Sequence, residues 1–454
     1  MARPQRHRLL QGYPMAPLMR PAPPRSEPFD GLDLDPTRPL LVGVLPHTFC
    51  NPKVKGCGFC TFPHEKLGRE AMRRVLSRVS EEITETASRQ PALRTRRVEA
   101  IYIGGGTANL TPPDDLERLS ALLAASFDVV GSELTLEGVP AYFLLRDEAL
   151  LDVLARAPVR HRRISMGVQT FDGAWLKRMG RDAFGDRGTF QRVVDAAHRR
   201  GFTVSADLLF NLPGASVEHA LADVRAAIAC GFDQICIYNL VLTEDLDTEW
   251  ARDRSLVSLM PRGAQSKATW YALRSTLLES GYVQTTLTNF ERADVASTPR
   301  RFAYERASFD PGAYDGIGFG PGAISTFTSR TRSRARKWVH AGRSEAYVES
   351  AAGTIFDYAE EDLRLLHVTR NLSRLAIDAA AYEDFFGTEL VADFIEPIGA
   401  LSAAGLVRWH DERLELTPEG MFYADAVAGL FSHRRVAALR RNFDDRSGVR
   451  QFMG

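Results

Sequence analysis

Cysteine is scarce in this chain, with five residues in 454. So low and odd a number excludes a disulfide framework as the source of stability. An excess of charge is missing as well, because 57 basic side chains face 57 acidic ones. That balance gives no general attraction to nucleic acid or to an anionic membrane surface. No apolar run approaches the ~20 residues that a bilayer-spanning helix needs, and no repeat of solenoid period occurs. The N-terminal stretch lacks an apolar signal region and a small-residue cleavage site. It is basic and rich in proline, a composition that cannot sustain a helix, so residues 1–35 are expected to be a disordered leader.

What is present is an ordinary globular composition on a chain long enough for two or three domains. Between residues 39 and 240, β-like apolar runs alternate with helix-length amphipathic segments. Strands are expected at 40–45, 98–105, 133–138, 163–168, 203–210 and 234–240, with helices over 68–89, 113–126, 146–156, 189–200 and 216–230. Low-charge strands, each followed by a helix, indicate parallel βα units covered on their outer face. The expected class is α/β, a partial (βα)6 barrel of TIM type. Residues 36–350 would form this barrel with an extension of strands and long loops. Residues 351–454 would form a C-terminal helical part, whose hairpin LVRWHDERLEL before a helix is winged-helix-like.

Three of the five cysteines sit in one stretch, CNPKVKGCGFC, as Cys50, Cys57 and Cys60. It follows the first strand and so belongs at the carboxyl end of the barrel, the face that carries chemistry in parallel barrels. Three thiolates on one loop can hold three irons of a [4Fe–4S] cubane and leave the fourth open. A zinc site is the alternative on this stretch alone, with His47 or His64 as a further ligand. The next strand runs into IYIGGGTANL, where three glycines let the backbone approach a polar ligand. Later strands end at Glu137, at Gln169, near Asp207, and at Tyr238 and Asn239. Polar groups at consecutive strand ends indicate a lined central pocket.

In order, the cysteine loop, GGGT, strand-end Glu, ISMGVQTF, MGR, DLLFNLPG, IYNL and YDGIGFGPGAIS resemble the oxygen-independent coproporphyrinogen III oxidase family of radical S-adenosylmethionine (SAM) enzymes. The likeness spans roughly residues 38–430. It implies a [4Fe–4S] cluster on Cys50, Cys57 and Cys60, and SAM contacts at Phe59, Gly105, Gly106, Thr107, Glu137, Gln169, Arg181, Asp207 and Ile324. One or two SAM molecules, a small-molecule substrate and an electron donor of flavodoxin or ferredoxin type are implied with them. So is a cytoplasmic monomer that binds neither nucleic acid nor membrane.

The chain departs from that family in places. Its spacing is C-x6-C-x2-C where the family has C-x3-C-x2-C, a lengthening that costs little in loop closure. Val44 stands where the oxidases carry Tyr, no further cysteine follows Cys60 closely, and MGRDAF lacks the usual His. These differences point away from plain porphyrin decarboxylation. They rank methyl or methylene transfer to an sp2 carbon first, in the manner of the class C radical SAM methyltransferases. The oxidase reaction comes second. A heme carrier comes third, with His340, His367, His410 and His433 as candidate axial ligands. The arginine-rich stretch 328–340 and the tail 433–443 read as a solvated loop and an exposed basic helix. Cys230 and Cys236 read as buried structural thiols.

Overall fold

A computed structural model describes residues 13–14, 18–23, 26–50, 57–62, 64–243, 246–350 and 353–442. The six expected strands are there: β1 (Leu40–Val44), β2 (Val98–Ile103), β3 (Glu133–Gly138), β4 (His161–Gln169), β5 (Thr203–Phe210) and β6 (Gln234–Asn239). All pair in parallel with their neighbours in chain order. Their helices are α1 (Arg69–Arg89), α2 (Pro113–Ser126), α3 (Leu145–Arg156), α4 (Arg187–Arg199), α5 (Val217–Ala229) and α6 (Gly263–Glu279). α4 shows why such segments form helices where they do. Asp186 caps its start by accepting from the Thr189 N–H at 2.8 Å, a contact worth about 1 kcal/mol. Phe190, Val193, Val194 and Ala197 then fall on one buried stripe.

After α6 the chain adds further strands to both sides of the parallel set. β7 (Tyr282–Gln284) and β8 (Asn289–Arg292) extend it beyond β6. β9 (Asp315–Phe319), β10 (Ile324–Thr328), β11 (Ala335–Val339) and β12 (Thr354–Tyr358) extend it beyond β1. β9 runs parallel to β1 and is thus a seventh parallel strand, which the sequence alternation did not show because no helix-length segment precedes it. Its place is locked by charge. Arg96 Nη2 donates to Asp315 Oδ2 at 2.6 Å, both side chains nearly inaccessible to water, and the Thr328 N–H donates to Oδ1 at 3.0 Å.

The C-terminal part holds α7 (Glu360–Ser373), a small sheet of β13 (Ala376–Asp378), β14 (Val407–His410) and β15 (Arg413–Leu416), and α8 (Ala424–Asn442). The β14–β15 pair is the expected hairpin. Among the described residues no helix is long and apolar enough to cross a membrane.

Two expectations need correction. The described part of the leader is ordered: Arg20–Pro21 pairs with β12, and Tyr13 is fully buried, its hydroxyl donating to Asp362 Oδ1 at 2.7 Å. Tyr13, Leu18 and Phe29 supply apolar anchors among the prolines, and extended proline is compatible with a sheet edge. Residues 328–340 are not simply a solvated loop, because Ala335–Val339 is strand β11 with Lys337 and Trp338 buried. Arg332 and Arg336 are paired with Asp384 and Asp357. The basic tail is helical through Asn442, and its last residue, 443, lies outside the described residues.

Candidate functional site

The twelve residues singled out as cluster or SAM contacts all line one cavity of about 690 Å³ at the carboxyl ends of the parallel strands. The sequence places them on seven separate segments, and only the fold brings them together. The inserted part of the cysteine loop, residues 51–56, lies outside the described residues. Its two ends are fastened. Phe49–Cys50 pairs with Glu65–Lys66, and the Trp250 N–H donates to the Gly58 carbonyl at 3.0 Å. The Trp250 ring lies against Gly58, and Phe59 packs edge-on to it with centroids 5.5 Å apart. Trp250 thus anchors the Cys57–Cys60 turn, a role that nothing in its own surroundings in the sequence signals.

The three thiols are electrostatic neighbours. Burial pushes the Cys60 thiol up to about 11 against a hydrogen bond from the Phe62 N–H, and the charges of Cys57 and Cys50 add to the rise. Burial raises Cys50 too, while the Thr107 hydroxyl opposes it. Arg181 Nη1 donates to Cys57 Sγ at 3.2 Å, and its Nη2 donates to the Gly167 carbonyl. Its Nε is buried without a partner and remains available for one. Among the described residues no three His, Cys, Asp or Glu side chains converge on a single ion. His64 reaches the cavity wall, whereas His47 is buried away from it.

The glycine turn beside the cysteines is a tight backbone cradle, packed against the chain that precedes Cys50. At Gly106, with φ +52°, a Cβ would lie 2.9 Å from the Thr48 carbonyl carbon and 3.0 Å from the Phe49 carbonyl oxygen. At Gly104 it would come within 2.6 Å of Glu137 Oε2. Gln169 sits at φ +70°, a strained conformation for a non-glycine residue that turns its side chain at the strand end.

Deeper in the cavity the wall is acidic and phenolic. Tyr102 donates to Glu137 Oε2 at 3.1 Å, and burial raises that carboxyl above its ordinary value. Burial, helped by the Glu137 charge, pushes Asp207 up to about 7. Arg163 opposes both, held against the Phe302 ring at 3.6 Å and hydrogen-bonded to Gln234 Oε1 at 2.5 Å. Tyr238 and Tyr304 complete this wall. Tyr102 was open to detection, since it lies two residues before Gly104 on the same strand face; Tyr304 comes from the short helix Ala303–Ser308, outside the βα alternation. Asn239 is not in the wall and accepts from Asn211 at 2.7 Å.

The sequence profile of the radical SAM superfamily matches residues 44–227, the part that carries the thiols, the cradle and the acids. Residues 44–227 form a radical SAM domain. Its likeness is to the coproporphyrinogen oxidase-like group of that superfamily, whose members use a [4Fe–4S] cluster and SAM. The radical SAM fold here superposes on the oxygen-independent coproporphyrinogen III oxidase HemN of Escherichia coli with a TM-score of 0.69, at 20% identity over 87% of this chain and 91% of that one. The heme chaperone HemW of Bacillus subtilis is 25% identical over 83% of this chain and 95% of its own length. HemW of Lactococcus lactis is 33% identical over 43% of this chain, which spans about half the length of that relative.

The pocket suits the two radical SAM cofactors on its own evidence. It has three soft sulfur donors on one loop, a glycine turn beside them in the cavity wall, and the Arg181 guanidinium bonded to one of the thiols. Of the four candidate heme ligands none lines it. His340 pairs with Glu82 at 3.1 Å, and His367 is buried among Tyr382, Phe385 and Phe386. His410 is exposed, and His433 belongs to a groove between α7 and α8.

Proposed function

We propose that this protein cleaves SAM reductively and directs the resulting radical at a small molecule of the tetrapyrrole class held in the barrel cavity. The observation that carries the reading is the meeting of all twelve expected residues in one cavity with an acidic, tyrosine-lined wall. Cys50, Cys57 and Cys60 would hold the cluster, and Phe59, Gly105, Gly106, Thr107, Glu137, Gln169, Arg181, Asp207 and Ile324 would hold SAM. When bound and reduced, the cluster supplies the electron that splits the sulfonium and frees a 5′-deoxyadenosyl radical.

The chain's own side chains then have separate tasks. The glycine turn Gly104–Gly106, in the cavity wall, would take the amino-acid end of SAM against backbone groups. The Arg181 guanidinium, in the same wall, would attract its carboxylate while keeping Cys57 in place. Glu137 and Asp207 accept from ammonium or hydroxyl groups, and Asp207, near neutrality, can also donate. An electron donor of flavodoxin or ferredoxin type would supply the reducing equivalent. We keep the division into a barrel with extension over 36–350 and a C-terminal part beyond it as part of this reading.

The tetrapyrrole class rests on the relatives, which are a coproporphyrinogen oxidase by fold and heme chaperones by sequence. It displaces the ranking reached from the motif departures alone. Methyl or methylene transfer remains the second reading, favoured by Val44 and by the absence of a further cysteine close after Cys60. The test is anaerobic reconstitution with dithionite and SAM. Production of 5′-deoxyadenosine with decarboxylated coproporphyrinogen supports the oxidase reaction, and heme uptake with neither product supports a carrier. Equal yields of 5′-deoxyadenosine and S-adenosylhomocysteine would replace the proposal by methyl transfer.

A further inference from the structure

A second concavity, of about 640 Å³, lies where the edge strand β7 and the segment after β8 face the small C-terminal sheet. It shares no lining residue with the central cavity. Five arginines line it, Arg274, Arg306, Arg374, Arg408 and Arg413, against one carboxylate, Glu415. They come from five different places in the fold: α6, the helix Ala303–Ser308, the end of α7, β14 and β15.

Three of these arginines are engaged. Arg274 donates to Gln284 Oε1 at 2.8 Å, Arg374 to Asp310 Oδ2 at 2.6 Å, and Arg408 to Glu415 Oε2 at 3.3 Å. The Arg306 and Arg413 guanidiniums have no hydrogen-bond or ion-pair partner among the described residues. Arg306 is half-buried, and burial with the neighbouring Arg301 pushes its pKa down against the opposing charge of Glu291, while Arg413 is exposed at the groove's rim. Holding the half-buried Arg306 beside other cations costs free energy that a bound anion would return. A guanidinium matches carboxylate and phosphate oxygens two at a time. The volume is that of a site for a small ligand, and apolar side chains such as Leu375 and Met421 supply the remaining wall.

We propose that this groove is a second ligand site, for a small molecule that carries two or more carboxylate or phosphate groups. It is independent of the cluster chemistry. On the tetrapyrrole reading, the acidic side chains of substrate or product are one source of such groups; phosphorylated metabolites are the other.

The experiment is calorimetric titration of the full-length reconstituted protein with pyrophosphate, and separately with a porphyrin bearing free carboxylates and with its methyl ester. Saturable binding of pyrophosphate or of the free acid, weakening with added salt, is expected. The double variant Arg306→Gln/Arg413→Gln should weaken it by about tenfold or more. It should keep the wild-type melting temperature, iron content and rate of 5′-deoxyadenosine formation. Preference for the free acid over pyrophosphate assigns the site to tetrapyrrole carboxylates, and the reverse assigns it to phosphates. Undiminished affinity in the double variant, equal binding of the methyl ester, or no saturable heat with any probe overturns the proposal. So does tighter binding of a single-stranded oligonucleotide that the same substitutions abolish. SAM cleavage is measured on the same samples, so failure of the groove and failure of the catalytic reading are separable.

Discussion

The central cavity and the arginine groove have similar volumes, about 690 and about 640 Å³, and opposite character. One gathers thiols and carboxyls; the other gathers guanidiniums. A formal net charge of zero therefore conceals a basic groove and a cavity whose thiols and carboxyls burial holds toward their neutral forms. The way each is built differs as well. The cavity is made by strand ends that a parallel barrel must bring together, so its residues fall at a regular place in each βα unit. The groove is made by elements of both parts of the chain meeting at a sheet edge, and its residues follow no period.

The largest effect that separates the two sites should come from Cys57→Ala. Loss of nearly all reconstitutable iron and of measurable 5′-deoxyadenosine is expected, with anion binding in the groove unchanged. Retention of full iron would remove the basis of the catalytic reading. Next is Gly106→Val. A side chain there meets backbone atoms of the cysteine loop in a conformation that β-branched residues avoid. SAM affinity should fall by about 100-fold or more, through lost cradle contacts. Equilibrium dialysis with SAM on the reconstituted variant checks this, and a near-normal affinity would move the binding site elsewhere.

Trp250→Ala tests whether the cysteine turn is held from outside the loop. Removing a buried indole costs about 3–5 kcal/mol where surroundings cannot collapse. Here the loss should appear as faster release of iron to a chelator, with lower global stability. Iron release at the wild-type rate would show that the turn holds itself.

The smallest effect concerns Glu305, which burial pushes up to about 7 from an ordinary 4.5. In the unfolded chain this carboxyl ionises near the ordinary value; folded, it keeps its proton to about 7. Between those values the native state binds more protons than the unfolded state, so its contribution to stability falls as pH rises. Glu305→Gln should therefore be more stable than wild type by roughly 1–3 kcal/mol at about pH 8, with the gap closing toward about pH 5. Denaturant unfolding at both values decides it, and a gap of the opposite slope would refute the assignment.

Much of the catalytic face was legible before the fold. Cys57 and Cys60 flank a Gly-Phe turn, and the glycines of IYIGGGTANL follow a strand. Glu137, Gln169 and Asp207 stand at strand ends or within them. The βα alternation placed them at strand ends, and the family resemblance implied what they bind. Trp250 and Tyr304 escaped that logic, because each reaches the site from a stretch with no periodic relation to the strands. The seventh parallel strand escaped it for a related reason. β9 is set beside β1 by the buried Arg96–Asp315 pair, whose members lie 219 residues apart. The pairing of Arg20–Pro21 was not foreseen, because proline content argued against a helix and said nothing about extended pairing at a sheet edge.

Taken alone, the sequence determined the local matters: which runs are strands and which are helices, and which residues follow each strand. These depend on side-chain period and backbone preference, which neighbours along the chain settle. Tertiary structure alone decided which charges end up facing each other. It placed five distant arginines around one groove, and it buried Asp207 and Glu305 deeply enough to hold their protons near neutrality. The reason is physical. Burial and charge–charge coupling act over ångströms of space, and separation along the chain does not set those distances.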